Sequence, residues 1–173
     1  MTVVSGGINL LRHFAWQDDI VSAMRNKDTI LVAEDSEGDA FVLQRAFDKA
    51  DIDAALRFVE DGQDAVDYLS GNGAFGDRKA NPMPKLLLLD LRMPRLSGFD
   101  VLGWLKKDPT LRRLPVAVLS SSNIDRDVDR AYDLGANSYI VKPGSLQEYT
   151  EFIETLNRYW NEINRVSSGL LEE

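Results

Sequence analysis

The sequence has no cysteine and only one histidine among its 173 residues. The absence of cysteine excludes disulfides and thiolate metal sites, and a single histidine argues against a histidine-rich metal centre. Positive charge is also scarce, since 20 lysine and arginine residues face 28 aspartate and glutamate residues and leave a formal net charge of -8. We therefore expect no general nucleic-acid binding, which needs a basic surface, and instead expect basic partners or divalent cations.

Long apolar runs are absent as well. No segment approaches the roughly 20 apolar residues that a membrane-spanning helix needs. The start of the chain does not look like a signal peptide, because its first positive charge is Arg12 and no apolar segment follows it. These absences predict a cytoplasmic protein with no membrane partner. The length fits one domain with extensions.

The first segment, residues 1–28, differs from the rest of the chain. Leu10, Phe14, Val21 and Met24 recur there at helical spacing. This pattern predicts an N-terminal amphipathic helix of about four turns. Two interpretations stay open: a lid on the main core, and a helix that binds a partner or a second copy.

From Thr29 onward, short apolar runs alternate with helical patterns. This order predicts an α/β fold, with five parallel strands in one sheet and helices on both faces. We expect residues 29–165 to form this domain and residues 166–173 to form a tail. The predicted strands are 30–33, 56–59, 86–89, 116–119 and 139–141, and the predicted helices are 36–49, 61–69, 99–107, 125–134 and a last one from near Ser145 past Trp160.

Polar residues follow four of the five predicted strands. In an open parallel sheet, ligands bind beyond the carboxyl ends of the strands, where the strand order reverses. With the strand order 2-1-3-4-5, the ends of the first and third strands would meet in one crevice. The residues in question are Glu34 and Asp35 after the first strand, Asp90 after the third, Ser120, Ser121 and Ser122 after the fourth, and Lys142 and Pro143 after the fifth.

Such a crevice has a definite chemistry. Three carboxylates within about 4 Å of each other repel by several kcal/mol per pair at an effective dielectric constant near 20, and a hard cation relieves that cost. Oxygen ligands without histidine or cysteine suit Mg²⁺. Asp90 ends the most buried strand and is best placed to attack phosphorus and form an acyl phosphate. Lys142, Ser120 and Ser121 would bind the phosphoryl group.

At these residues the sequence resembles the receiver domains of response regulators in two-component systems. The matching segments are residues 30–35 (ILVAED), 87–94 (LLLDLRMP), 118–120 (VLS) and 141–143 (VKP), and the resemblance covers about residues 29–160. It implies a flavodoxin-like fold and a histidine kinase that donates the phosphoryl group. It also implies output by protein contact or onward phosphotransfer.

The resemblance implies a role for each acidic residue. Asp90 is the phosphoacceptor, and Glu34 and Asp35 help it to hold Mg²⁺. The family often has asparagine two positions after the phosphoacceptor, where this sequence has Arg92. The backbone carbonyl of Arg92 can still bind Mg²⁺, but its side chain puts a cation at the mouth of the site and leaves the phosphoryl lifetime open.

Four further roles follow from the same resemblance. Lys142 pairs with the phosphoryl group, and Ser120 is the switch hydroxyl that moves toward it. Tyr139 matches the aromatic residue that swings inward with Ser120. Pro143 is expected after a cis peptide bond.

A narrower resemblance points to the small regulators paired with phytochrome-type histidine kinases. It depends on the long loop 70–84, on residues 131–139 (AYDLGANSY) and on the closing Tyr159-Trp160. It implies a phytochrome-type photoreceptor kinase as the partner.

The last helix carries apolar residues at helical spacing. Packing on the sheet accounts for part of this pattern, but the helix is longer than the sheet requires and ends in two aromatic residues, which are enriched at interfaces. A homodimer through this helix is the hypothesis that we prefer. The apolar residues are Phe152, Ile153, Leu156, Trp160 and Ile163.

Two other functions remain as alternatives to a phosphorylated switch. One is a receiver-like binding module that is never phosphorylated, with Arg92 as its only support. The other is a phosphatase with an aspartyl nucleophile, which is disfavoured because Asp90 lacks a second aspartate two positions on. We expect no enzyme, only a phosphoacceptor with self-catalysed phosphotransfer and autodephosphorylation.

Overall fold

A computed structural model describes residues 28–165 and residue 167. The predicted N-terminal helix and nearly all of the predicted tail lie outside the described residues. Five parallel strands form one sheet in the order β2-β1-β3-β4-β5, which confirms the predicted topology. The strands are β1 (Asp28–Ala33), β2 (Ala54–Val59), β3 (Leu86–Leu89), β4 (Val116–Ser120) and β5 (Ser138–Val141).

Helices cover both faces of this sheet. Alternate residues of each central strand point to opposite faces, as the twofold repeat of a β-strand requires. The helices are α1 (Glu37–Ala50), α2 (Gly62–Ser70), α3 (Gly98–Lys107), α4 (Asp125–Asp133) and α5 (Leu146–Asn157). In β3, Leu86 and Leu88 pack on one face with α1 and α5, whereas Leu87 and Leu89 pack on the other with α2, α3 and α4.

Strand β3 lies at the centre of both core layers. All four of its leucines are buried, and each stabilises the fold by roughly 2 kcal/mol through removal of its side chain from water. A run that is apolar on both faces is typical of a central parallel strand. This burial brings Asp90, the next residue, to the carboxyl edge of the sheet.

Side-chain caps set where most helices begin. Ser36, Asp61, Ser97 and Ser145 each accept a hydrogen bond from the backbone N–H three residues on, at the starts of α1, α2, α3 and α5. Such caps satisfy one of the free N–H groups of the first turn. Helix α4 ends before Gly135, whose φ of 99° is the positive value expected of a residue after a helix.

The last helix continues as predicted, but its geometry changes. After Asn157 the chain forms a π-helical segment, Arg158–Ile163, which carries it past Trp160. Trp160 is half-buried against the core layer of α1 and α5, whereas Tyr159 and Ile163 are exposed. Within residues 28–165, no helix has the length and hydropathy to cross a bilayer.

The loop before β3 contains a short 3₁₀ turn, Gly73–Phe75, and is otherwise irregular as predicted. Its Arg78 guanidinium donates hydrogen bonds to the carbonyls of Tyr68 and Leu69, at 2.7 and 2.8 Å. These carbonyls lie in the last turn of α2, where helical partners run out, and that of Tyr68 also accepts the Gly71 N–H at 3.2 Å. Arg78 therefore joins the loop to the end of α2.

Candidate functional site

The backbone holds three polar residues at the carboxyl edge of the sheet. The N–H of Glu34 donates to Val59 O at 3.0 Å, that of Asp90 to Ala33 O at 3.0 Å, and that of Lys142 to Ser120 O at 2.9 Å. Each bond continues the ladder between two neighbouring strands by one residue. The predicted site residues therefore start from a rigid frame.

Three carboxylates meet at this edge. Glu34, Asp35 and Asp90 each offer an oxygen, and these oxygens lie within 4.8 Å of one another. Glu34 and Asp90 are buried, and Asp35 is exposed. This donor set fits Mg²⁺, a hard cation that takes oxygen ligands and usually keeps several waters. The Arg92 side chain, which we expected at the mouth of the site, is exposed to solvent.

Lys142 is the cation of the cluster. Its Nζ lies 2.8 Å from Glu34 Oε2, 2.7 Å from Asp39 Oδ2 and 3.1 Å from Asp90 Oδ2. Its side chain is only 11% exposed. An ammonium has three N–H donors, and here each of the three has a carboxylate acceptor. Lys142 thus balances part of the negative charge and points one donor at the predicted phosphoacceptor.

The surroundings shift the pKa of two of these groups. Burial raises the pKa of Glu34, and the nearby Asp90 adds to this, whereas the hydrogen bond and charge of Lys142 oppose it. Burial by itself would lower the pKa of Lys142, but hydrogen bonds to Asp39 and Glu34 and the charge of Asp90 raise it overall. Lys142 therefore stays protonated at neutral pH and is a permanent positive charge.

The two oxygens of Asp90 have different neighbours. Oδ1 accepts the backbone N–H of Leu91 at 2.6 Å and that of Arg92 at 3.4 Å. Oδ2 faces Lys142. These contacts fix the orientation of the carboxylate, a group that can act as a nucleophile toward phosphorus.

The predicted switch residues lie on the neighbouring strands. Ser120 ends β4 and is fully buried, and its Oγ accepts the N–H of Ser122 at 3.3 Å. The Tyr139 hydroxyl donates to the carbonyl of Ser122 at 3.0 Å. Ser121, predicted to bind the phosphoryl group, is exposed. A chain of hydrogen bonds thus joins Ser120 to the half-buried Tyr139 through Ser122.

The loop after Asp90 is tied to the start of α2. The Arg95 guanidinium pairs with Asp61, the cap of α2, and lies 2.5 Å from Asp64 Oδ1. Arg95 has a φ of 59°, which is uncommon outside glycine. This contact holds the loop after Asp90 against the neighbouring helix.

One expectation from the sequence was wrong, and one residue of the site was missed. The peptide bond before Pro143 is trans, because the described part of the chain contains no cis bond; the trans form is favoured by about 0.5–1 kcal/mol for such bonds. Sequence reasoning also missed Asp39, which binds Lys142 directly. Its only signal was a second acidic residue one helical turn after Asp35, a spacing that a helix start explains equally well.

The fold and the site together are those of a receiver domain. Residues 30–154 match the response regulator receiver domain family. The chain therefore belongs to this family, the receiver domains of two-component systems, as its motifs had indicated.

The similar proteins include a response regulator in red light signalling and a phytochrome response regulator. A crystal structure of response regulator RPA3017, in red light signalling of R. palustris, is 41% identical, with a TM-score of 0.78 over 82% of this chain and 99% of that one. The phosphorylated cyanobacterial phytochrome response regulator RcpA is 32% identical, with a TM-score of 0.75 over the same shares. Response regulator Rcp1 of Synechocystis sp. is 34% identical over 77% of this chain and 88% of its own, and its Mn²⁺-bound form has been solved.

Proposed function

We propose that this protein is a phosphorylated switch that receives a phosphoryl group on Asp90 from a histidine kinase. The observation that carries this proposal is the Lys142 ammonium, 3.1 Å from Asp90 Oδ2 at the edge of a three-carboxylate cluster. An Asp90 oxygen attacks phosphorus, the P–N bond of the kinase phosphohistidine breaks, and the imidazole nitrogen takes the bonding electron pair. The protein is then a phosphoacceptor and not an enzyme that acts on a separate substrate.

The residues of the site would have two roles, which are metal binding and phosphoryl binding. Glu34, Asp35 and Asp90 would hold Mg²⁺, together with the backbone carbonyl of Arg92. Bound there, the ion neutralises negative charge on the carboxylates and on the phosphoryl oxygens. Lys142 holds the phosphoryl group from the other side with a fixed positive charge, which needs no rearrangement during transfer.

The response to phosphorylation would travel through Ser120. A phosphoryl group on Asp90 offers new acceptor oxygens to the Ser120 hydroxyl and draws it toward the site. Because Ser122 joins Ser120 to Tyr139, this movement would change the hydrogen bond of the Tyr139 hydroxyl and draw the ring inward. Such contacts exist in one state only and so shift the balance between two conformations. Output then follows by contact with another protein or by onward phosphotransfer.

Substitution of Asp90 by asparagine tests this function. Acetyl phosphate stands in for the kinase, with acetate as the leaving group. We expect wild-type protein to gain one phosphoryl group in the presence of Mg²⁺, and Asp90→Asn to gain none, because an amide is not a nucleophile toward phosphorus. Intact-protein mass spectrometry with and without Mg²⁺ measures both.

Asp129→Asn is the matched control, since Asp129 is exposed on α4 and lies outside the site. This variant should be phosphorylated like the wild type. Wild-type protein that gains no mass under any condition would contradict the proposal and favour the unphosphorylated binding module. That alternative depends on Arg92, whose exposed side chain forms no ion pair among residues 28–165.

The kinase partner is proposed to be of the phytochrome type. The red-light and phytochrome regulators described above support this, together with the long loop before β3 and the closing aromatic pair. The cytoplasmic location that the sequence predicts is part of the same proposal. Phosphotransfer from an autophosphorylated phytochrome kinase should be faster than from a histidine kinase of another sensory class, and equal rates would count against the pairing.

We also propose a homodimer through the last helix. Tyr159 is 52% exposed and Ile163 is 62% exposed, so the end of this helix presents apolar surface that residues 28–165 do not cover. The Tyr159 ring stacks edge-on to Trp160 at 5.0 Å between centroids, and this contact holds it in place. Light scattering at micromolar concentration should give twice the mass of one chain, and a single-chain mass would count against the dimer.

A further inference from the structure

Asp39 is a carboxylate at the site that the proposed phosphotransfer does not use. It lies in the first turn of α1, outside the metal-binding cluster, and its Oδ2 accepts a hydrogen bond from Lys142 Nζ at 2.7 Å. This is the shortest of the three contacts of the ammonium. A residue of α1 therefore holds the cation that the phosphoryl group will need.

A comparison within the chain shows that Asp39 is not simply a helix cap. Helix α3 also starts with serine and an aspartate three residues on, and there Asp100 Oδ2 accepts the Ser97 N–H at 2.9 Å, which completes a capping box. In α1 the equivalent N–H, that of Ser36, donates instead to Glu34 Oε1 at 3.1 Å. The Asp39 carboxylate is thereby free to bind Lys142.

We propose that Asp39 restrains Lys142, competes with the incoming phosphoryl group for its ammonium, and so lowers the affinity of the site for the phosphodonor. This inference rests on the proposed phosphorylation of Asp90. Asp39 would act through Lys142 and would not touch the phosphoryl group itself. Phosphorylation would then break a contact of the first turn of α1.

The exposure of the three carboxylates indicates which of them loses its hydrogen bond to Lys142 when a phosphoryl group binds. The Asp39 side chain is 43% exposed, compared with 4% for Glu34 and 8% for Asp90. Water can solvate the Asp39 carboxylate once Lys142 leaves it, whereas a buried carboxylate left without its cation costs far more. A phosphoryl oxygen would therefore take the donor that now points to Asp39.

Charge acts in the same direction. Asp39 adds a fourth carboxylate beside Glu34, Asp35 and Asp90, and it shares the Lys142 ammonium with Glu34 and Asp90. The phosphodonor is itself an anion, so each extra negative charge nearby opposes its entry. Removal of Asp39 should therefore favour both the release of Lys142 and the approach of the donor.

The test compares Asp39→Asn with the wild type over a range of acetyl phosphate concentrations at fixed Mg²⁺. We expect the half-saturating concentration to fall roughly threefold to tenfold, the size expected for a partly exposed ion pair, while the maximal rate changes by less than about twofold. Asp39→Glu restores the charge and should move the half-saturating concentration back toward the wild type.

Glu37→Gln is the matched control. Glu37 lies in the same helical turn, is exposed and loses the same charge. Its half-saturating concentration should stay close to that of the wild type, because it does not touch Lys142.

A second measurement needs neither metal nor phosphodonor. Acetic anhydride labels lysine amines, and peptide mass spectrometry gives the labelling rate of Lys142 relative to the other lysines. Asp39→Asn should raise the relative rate at Lys142 several-fold, because it removes the negative charge that favours the protonated, unreactive amine and leaves only a weaker amide acceptor. Glu37→Gln should leave that rate unchanged.

The outcomes separate the two proposals. Wild-type protein that gains no phosphoryl group overturns the proposed function. Phosphorylated wild-type protein with an unchanged half-saturating concentration in Asp39→Asn overturns the restraint by Asp39. A lower maximal rate in Asp39→Asn also overturns it, since Asp39 would then aim Lys142 productively at the phosphoryl group.

Discussion

Lys142→Met should reduce the rate of phosphorylation by acetyl phosphate about a hundredfold or more. Methionine has nearly the length of lysine but no charge, so the phosphoryl group loses its fixed cation, and loss of one preorganised group of this kind costs about 10²–10³ in rate. Glu34, Asp39 and Asp90 also lose their shared ammonium. Rates from intact-protein mass spectrometry at saturating Mg²⁺ measure the effect.

The same variant should be less stable without metal. Removal of one partner from a buried ion pair leaves uncompensated charge, and we expect the free energy of unfolding to fall by about 3 kcal/mol. Mg²⁺ should recover part of this loss and bind more tightly than to the wild type, because Lys142 no longer competes for Glu34 and Asp90. Urea unfolding with and without Mg²⁺ measures both effects.

Lys85→Met is the control for this experiment. Lys85 lies 2.5 Å from Asp28 in an ion pair that is about 30% exposed on both sides, at the other end of the sheet. Surface pairs of this kind contribute about 0–1 kcal/mol. Lys85→Met should be phosphorylated normally. A normal rate in Lys142→Met would mean that Lys142 has no part in the transfer.

Gly98→Ala should destabilise the protein by about 3 kcal/mol and disturb Asp90, the proposed phosphoacceptor. A Cβ at Gly98 would lie 2.2 Å from the carbonyl oxygen of Asp90 and 2.8 Å from Leu91 Cα. Both are backbone atoms that no rotamer change can move, so the loop after β3 must shift, and overpacking of this kind typically costs 1–3 kcal/mol or more. Urea unfolding gives the stability, and the acetyl phosphate assay gives the effect on Asp90.

Gly103→Ala is a control in the same helix, for which we expect the stability to change in the opposite direction. Among the residues that the structure describes, a Cβ at Gly103 would meet only Leu134 Cδ2, at 4.0 Å. Alanine is a better helix former than glycine by about 0.8–1 kcal/mol, so this variant should be more stable than the wild type and react normally. Equal stability of the two variants would show that the close approach at Gly98 is not a constraint.

Much of the fold was predictable because local patterns and tertiary packing agree. The four leucines of residues 86–89 form the predicted central strand, and Ser36 caps the predicted helix that follows β1. The predicted boundaries differ from the observed ones by one or two residues at most strands and helices, since ends depend on caps and ladder bonds. The π-helical turn after Asn157 had no signal in the sequence.

The site was predictable to the extent that it follows strand ends. Glu34, Asp90 and Lys142 each come directly after an apolar run, and Asp35 comes one residue later. The parallel sheet brings the ends of such runs to one edge. The sequence did not predict the different burial of the two aromatic residues at the end of the last helix. Spacing alone does not show that Trp160 packs on the core and that Tyr159 faces solvent.

The sequence by itself therefore determined the order of strands and helices and the family of the protein. It also identified three carboxylates and one lysine of the site. Only the tertiary structure decided which acidic side chains share the ammonium and which glycines lie against backbone. Asp39 and Lys142 are 103 positions apart, and their contact exists because α1 and β5 are placed by the packing of the whole sheet. A hydrogen bond of this kind depends on distances of a few tenths of an ångström between distant segments, and no local pattern in a sequence encodes those distances.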